Sequence, residues 1–355
     1  MSNQSELAQL ASVFAGSALS NRNLIINGAM QVAQRGTSAT SVSSEGYKCV
    51  DRMRWTMDST SAVFTLSQST DVPSGQGFAN SFKAEVTTAD TSLAANSQTR
   101  FEYRFEGQDL QQLAKGTSNA KKVTLSFWVK AFQTGTYIVN LQDTDNSRLI
   151  GATYTVDTSA TWEYKTVTFA GDTSGALTDD NNLSFVIHWY LGAGSDYTSG
   201  TLPNTWESLT NANRAVGQTV DIATSTSNYW AITGVQLEIG DTSTPFEHIP
   251  YSDQLVRCQR YYNQVGGAYG FLMGGYVSGA NDDYNVPFSF PVTMRAAPST
   301  TVTGTWSTSN TTSSAPSVTR PKPNAITIYA TTLGTGNWYM DADSENDLIK
   351  FDAEL

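Results

Sequence analysis

Charge is scarce in this sequence. Only 15% of its 355 residues are Asp, Glu, Lys or Arg, against the quarter or so usual in soluble globular chains. Histidine occurs twice, at His188 and His248, and cysteine twice, at Cys49 and Cys258. Each shortage excludes something. Lys and Arg number 21 against 32 Asp and Glu, a net charge of −11. Such a chain gains little from counterion release on phosphates, which excludes nucleic acid as a partner. The basic residues form no patch for anionic lipid. No apolar run approaches the ~20 residues a membrane helix needs, so membrane insertion is excluded too. Two cysteines are too few for the disulfide scaffold of a secreted domain. They read as buried thiols, with a single 49–258 bridge left open. Neither histidine has a Cys or His at metal-ligand spacing. His188, beside Trp189 in an apolar stretch, reads as a hydrogen-bonded core or interface histidine. No P-loop, Rossmann glycine pattern or nucleophile elbow occurs, and no cofactor is expected. The opening Met1-Ser2-Asn3-Gln4 has neither the basic start nor the apolar core of a signal peptide.

Ser, Thr, Asn and Gly take the place of charge. Aromatics make up 11%, with eight Trp and sixteen Tyr, a composition suited to pleated, half-buried strands. Residues 1–22 predict a helical attachment segment, with Leu7, Leu10 and Phe14 on one face. A helix this short is not stable alone in water. It docks either as a trimeric bundle with other chains or on its own domain, and both readings stand. Residues 23–250 predict roughly ten strands with turn signals between them, the pattern of a two-sheet jelly-roll sandwich. Phe101-Glu102-Tyr103-Arg104-Phe105-Glu106 alternates strictly, aromatics inward and charges outward. Asp109 to Leu113 predicts a helical turn closed by Gly116. Residues 251–265 predict a linker helix, with Tyr251, Leu255, Cys258 and Tyr262 on one face and Ser252 as N-cap. Residues 266–355 predict a smaller C-terminal β domain with a thin core. Its stretch Ser307 to Ser317 reads as a long exposed loop. The fold class is therefore all-β.

Three stretches in order carry a resemblance. They are Asn23-Leu24-Ile25-Ile26-Asn27-Gly28-Ala29-Met30-Gln31-Val32-Ala33-Gln34-Arg35-Gly36, then Tyr229 to Gly240 continuing as Thr244-Pro245-Phe246-Glu247, then Cys258-Gln259-Arg260-Tyr261-Tyr262. Together they resemble phage tail-fibre and minor structural proteins whose central jelly roll is similar to carbohydrate-binding modules. The resemblance covers about residues 23–262. It implies a virion location, contact with host surface polysaccharide, and assembly with itself, as a homotrimer, and with other tail or virion proteins through the N-terminus. The missing secretion signal fits a phage, which leaves the cell by lysis. It assigns no binding residue. The motifs read as structural: Asn27-Gly28 marks a turn, and Pro245-Phe246 ends the last strand and plugs an aromatic into the core.

Glycan binding calls for aromatic faces flanked by amides and hydroxyls. The longest loop of the sandwich, Gly192 to Trp206, offers Asp196, Tyr197 and Trp206. Trp206 folding back over a sheet face is the competing reading. In the C-terminal domain Trp338 and Tyr339 are the preferred pair, with a core role as the alternative for Trp338. Acidic clusters at Asp143-Asp145, Asp179-Asp180, Asp282-Asp283 and Asp341 to Asp347 read as solvated loop charge. A structural calcium stays unassigned. Thirty-two acids make chance carboxylate pairs unavoidable, and none is singled out as a glycosidase pair. No enzymatic activity is expected. A virion structural part without receptor contact, such as a capsid decoration or tail adaptor, is the alternative function, and a polysaccharide depolymerase a lesser one.

Overall fold

The computed structural model describes residues 21–355. Leu7, Leu10 and Phe14, and with them the N-terminal helix, lie outside the described residues. The chain divides into two compact units, one ending at Tyr251 and one running from Ser252 to Leu355.

The first unit is built from β1 (Ser38–Val42), β2 (Gly46–Tyr47), β3 (Arg54–Asp58), β4 (Val63–Ser69), β5 (Ser81–Thr88), β6 (Gln98–Glu106), β7 (Val123–Ala131), β8 (Gly135–Asp143), β9 (Arg148–Val156), β10 (Glu163–Phe169), β11 (Leu183–Ala193), β12 (Glu207–Ser208) and β13 (Tyr229–Ile239). One sheet has the order β1-β4-β5-β13-β7-β10, the other β12-β9-β8-β11-β6-β3-β2. The chain crosses repeatedly between the two, which makes the unit a jelly-roll sandwich. Strand alternation decides what faces what. Phe64, Phe82, Phe127 and Trp230 from the first sheet meet Trp55, Phe101 and Trp189 from the second, all fully buried. Ring centroids lie 4.8 Å apart for Trp55–Phe64 and 5.4 Å for Phe101–Trp230.

The two ends of the unit are joined by side chains of the motifs. The predicted strand Leu24-Ile25-Ile26 lies along β13 without forming a regular ladder. Leu24 N–H donates to the Leu237 carbonyl, and Val235 N–H to that of Gly28. Asn23, buried, completes the junction. Its amide donates to the Val235 carbonyl at 3.1 Å. Its Oδ1 accepts from Ile25 N–H at 3.0 Å and Leu237 N–H at 3.1 Å. Asn27 does the same for the turn, in the left-handed region (φ 63°). Its amide donates to the Val32 and Asp51 carbonyls, and its oxygen accepts from Val32 N–H. Gly28 must be glycine: a Cβ there would stand 2.1 Å from the Val235 carbonyl oxygen.

Two local readings are corrected. The turn Gly107–Leu113 is 3-10, and the left-handed residue that closes it is Ala114, not Gly116. Asp143 is not solvated loop charge. It is fully buried and accepts from the Lys115 ammonium, which also reaches Asp172 at 3.0 Å and the Ser174 and Gly175 carbonyls. A buried carboxylate needs such a partner. Cys49 is buried, and burial pushes its thiol up to about 11, which leaves it unreactive at neutral pH.

The helix Tyr251–Gln259 begins at the last residue of the first unit and leads into the second. Its buried residues are Gln254 and Cys258, and Tyr251 is exposed. The helix starts one residue before the cap expected at Ser252. Residues 262–266 are not helical but form β14 (Tyr262–Gly266), followed by β15 (Leu272–Val277), β16 (Asp283–Ser289), β17 (Ser299–Val302), β18 (Ser307–Ser309), β19 (Ser317–Thr319), β20 (Ala325–Thr331), β21 (Gly336–Asp341) and β22 (Leu348–Asp352). These make three antiparallel sheets of three strands. The expected loop Ser307 to Ser317 contains β18 and opens β19, because a backbone ladder needs no apolar side chain. Trp306, Trp338, Phe351, Ile328 and Met340 form the core that few aliphatics predicted. Asp347 is fully buried, its carboxylate accepting from Thr305 and Ser344 N–H.

Replacing Asn23 by Ala removes these three bonds at once and strands buried backbone groups. The sandwich is expected to lose roughly 2–3 kcal/mol, read by urea unfolding of tryptophan fluorescence. A loss within error of zero would contradict the junction.

Candidate functional site

The structure disperses the residues that sequence put forward. Tyr197 is in a short helical turn, Ser195–Thr198, and is 9% exposed. It packs with Ala215 on Ile138 and Tyr190, on the outer face of the second sheet. The long loop thus covers a sheet face rather than presenting a ring to solvent. Asp196 is exposed beside it. Trp206 is half-buried and folds back as its competing reading has it. Its indole N–H donates to the Ala170 carbonyl at 2.7 Å, its ring meets Phe185, and the Lys115 ammonium lies 5.3 Å from the ring centroid. Trp338 is a core side chain of the second unit, 4.8 Å from the Tyr284 ring. Alternation along β21 turns its neighbour Tyr339 outward, 42% exposed, on the same face as Leu272 and Tyr276. Trp338 and Tyr339 therefore cannot act as a pair.

A groove lies elsewhere, on the outer face of the first sheet. Its volume is about 640 Å³. One wall is Trp128 of β7 and Tyr164 of β10, cross-strand partners with ring centroids 5.4 Å apart. The other wall is Phe78, Phe246 and His248, whose rings contact one another at 4.9–5.4 Å. Ser126, Gly234, Gln76, Ser243, Thr244 and Pro245 complete the lining. Phe246 does not plug the core. It stands on the outside of the sheet, because the chain after β13 doubles back over that face. Gly234 makes this packing feasible. It sits at φ +61°, and a Cβ there would meet the Phe78 ring at 2.6 Å.

Hydrogen bonds hold the returning segment in place. Glu238 accepts from Thr244 N–H at 2.8 Å and from the Thr244 hydroxyl at 2.6 Å. Glu247 N–H donates to Gln236 Oε1 at 2.8 Å. The Glu247 carboxylate in turn accepts from Asn21 and Asn23 N–H, at 2.6 and 2.9 Å.

Trp128, Tyr164 and Phe78 were not singled out from sequence, yet a signal existed. In Leu125-Ser126-Phe127-Trp128-Val129-Lys130 the core phase is Leu125, Phe127 and Val129. Trp128 therefore shares the outward phase with Ser126 and Lys130. Tyr164 shares its phase with Thr166 and Thr168. An aromatic on the polar phase of a strand is a surface ring.

The outer face of the second sheet carries buried charge instead. Glu102 is fully buried among Arg54 (3.3 Å), Arg100 (2.5 Å) and Arg104 (3.1 Å). Burial opposes its ionised form, but the arginines, Arg100 foremost, hold the carboxyl below the usual carboxylate range. His188 stands 3.8 Å from Glu102. Contrary to expectation, neither of its ring nitrogens has a hydrogen-bond partner. Burial first, and Arg100 next, depress its pKa well below the usual value. A polar groove of about 490 Å³ opens beside this cluster, lined among others by Glu45, Thr56, Asp58, Gln98 and Arg100.

No family model and no curated protein matches the chain. Solved structures that share its general form include the enzymatically active domain of tailspike protein 4 of bacteriophage CBA120. That likeness has 12% identity and a TM-score of 0.32, over 62% of this chain and 22% of the tailspike chain. A CBM4 structure aligns at 13% identity and a TM-score of 0.30, over 60% of this chain and 98% of that one. The family 11 carbohydrate-binding module of a Clostridium thermocellum cellulosomal cellulase aligns at 10% and 0.29, over 57% and 99%. The functional reading rests on the groove itself.

The buried neutral His188 has a consequence for stability. Its folded pKa lies below the unfolded value near 6.5, so below that pH the unfolded chain binds the extra proton. Stability is fully present above pH 6.5 and falls as the pH drops, by at most about 1.4 kcal/mol per pH unit. Urea unfolding from pH 7 to 5 should show this slope, and His188→Gln should flatten it. An equal slope in the variant would contradict the assignment.

Proposed function

We propose that the sandwich unit binds a glycan in the groove between Trp128–Tyr164 and Phe78–Phe246–His248, as the host-surface contact of a phage tail fibre or receptor-binding protein. The observation that carries this reading is a single groove lined by two aromatic clusters together with Ser126 and Gly234. Sugar rings present C–H faces to aromatic faces and hydroxyls to polar rims, and the groove supplies both. Ligand sites are typically such mostly apolar concavities with a few polar groups. The virion setting, the homotrimer and N-terminal attachment to other virion proteins follow from the sequence resemblance.

The reading is of binding without chemistry. Glycosidic cleavage generally takes two carboxyl groups across the bond, and none of the residues lining the aromatic groove is acidic. Glu45 and Asp58 share the polar groove on the other sheet. If that groove cut polysaccharide, host capsule or lipopolysaccharide incubated with the chain would release reducing ends; none are expected.

Binding of the full chain to host cells and extracted surface polysaccharide tests the proposal. Trp128→Ala removes one wall from a half-exposed position, and Tyr164→Ala removes its partner, 44% exposed. Each should weaken binding by about thirtyfold, the cost of a ~2 kcal/mol hot spot, with unfolding midpoints unchanged. Undiminished binding by both variants would exclude the groove. No binding by the wild-type chain would favour a virion structural part without receptor contact.

A further inference from the structure

The charges around the aromatic groove say which glycans it takes. Among its lining residues the ionisable side chains are Tyr164 and His248, and there is no Lys or Arg. The cations on the bordering elements are already engaged. Lys130, on the outward phase with Trp128, donates to Asp71 at 2.7 Å. Lys165, next to Tyr164, reaches Glu163 at 2.6 Å and Asp157 at 3.1 Å. Arg22 donates to the carbonyl of Pro245 and lies 4.0 Å from Glu238. Meanwhile carboxylates stand directly behind the rim: Glu238 holds Thr244 through two bonds, and Glu247 adjoins Phe246. The carboxyls of Asp71 and Glu163 are held below their ordinary pKa by Lys130 and Lys165 respectively, against the effect of burial. They stay ionised at neutral pH.

A ligand carboxylate or phosphate entering this groove would lose water and find no Lys or Arg in exchange. Taking an ion out of water without a partner is unfavourable, and the two carboxylates that share Lys165 leave net negative charge beside Tyr164. A ligand ammonium incurs no such repulsion, because aromatic faces attract cations. Neutral hydroxyls incur neither cost, and Gln76, Ser126 and Ser243 supply uncharged donors and acceptors. Building on the glycan reading above, we infer that the groove selects saccharides without anionic groups, such as neutral hexoses and N-acetylhexosamines, and rejects sugars bearing carboxylate or phosphate.

The test is a microarray of neutral hexose and N-acetylhexosamine oligosaccharides printed beside their uronic-acid, sialylated and phosphorylated counterparts, probed with the full chain. Signal is expected on neutral members, with charged counterparts of the bound sugars weaker by at least about tenfold. It should be insensitive to added salt, as an interaction without net charge is. Both Trp128→Ala and Tyr164→Ala should abolish it. Equal or stronger binding of a charged class, lost in both variants, would overturn the selectivity and leave the glycan site standing. No signal on any class, or a signal that survives both variants, would overturn the selectivity and the site together.

Discussion

The sandwich depends on one polar junction between its beginning and its end. Asn23 inserts its side chain between the strand-like segment Leu24–Ile26 and β13, satisfying three backbone groups that would otherwise be buried without partners. Glu247 closes the same junction from the other side by accepting the N–H groups of Asn21 and Asn23. Backbone groups removed from water must be paired, and side chains provide the pairing where no regular ladder forms. The consequence reaches beyond stability. The segment pinned by Glu238 and Glu247 carries Phe246 and His248, so the junction that closes the fold also builds one wall of the groove.

Part of the scarce charge is used inside the molecule. Glu102 sits under three arginines, Lys115 under two carboxylates, and Asp347 fixes a turn in the second unit. Such pairs are costly to bury and costlier to break, so they constrain the fold while leaving the groove uncharged.

The all-β class, the sandwich and most strand positions were legible because alternation with aromatic residues is a strong local signal. The motif Asn23 to Gly36 was legible as a turn. Its work as a junction was not, because Asn23 bonds to residues more than two hundred positions away in the chain. Residues 262–265 read as helix because Tyr262 continues a helical spacing, and only pairing with β22 makes them a strand. The candidate site was less legible. Tyr197 and Trp206 were chosen for lying in a long loop, but such a loop can lie flat on a sheet and bury its rings. Trp128 and Tyr164 were hidden inside convincing strands, where their outward phase was the clue. Phe246 and His248 required knowing that the chain turns back across the sheet, a tertiary fact that no local pattern carries.

The most direct measurement is a crystal structure of the chain with a neutral oligosaccharide that it binds. The account predicts sugar density between the Trp128–Tyr164 pair and the Phe78–Phe246–His248 cluster, with a ring face against Trp128. Density confined to the polar groove at Arg100, or to the Tyr339 face of the second unit, with the aromatic groove empty, would contradict it.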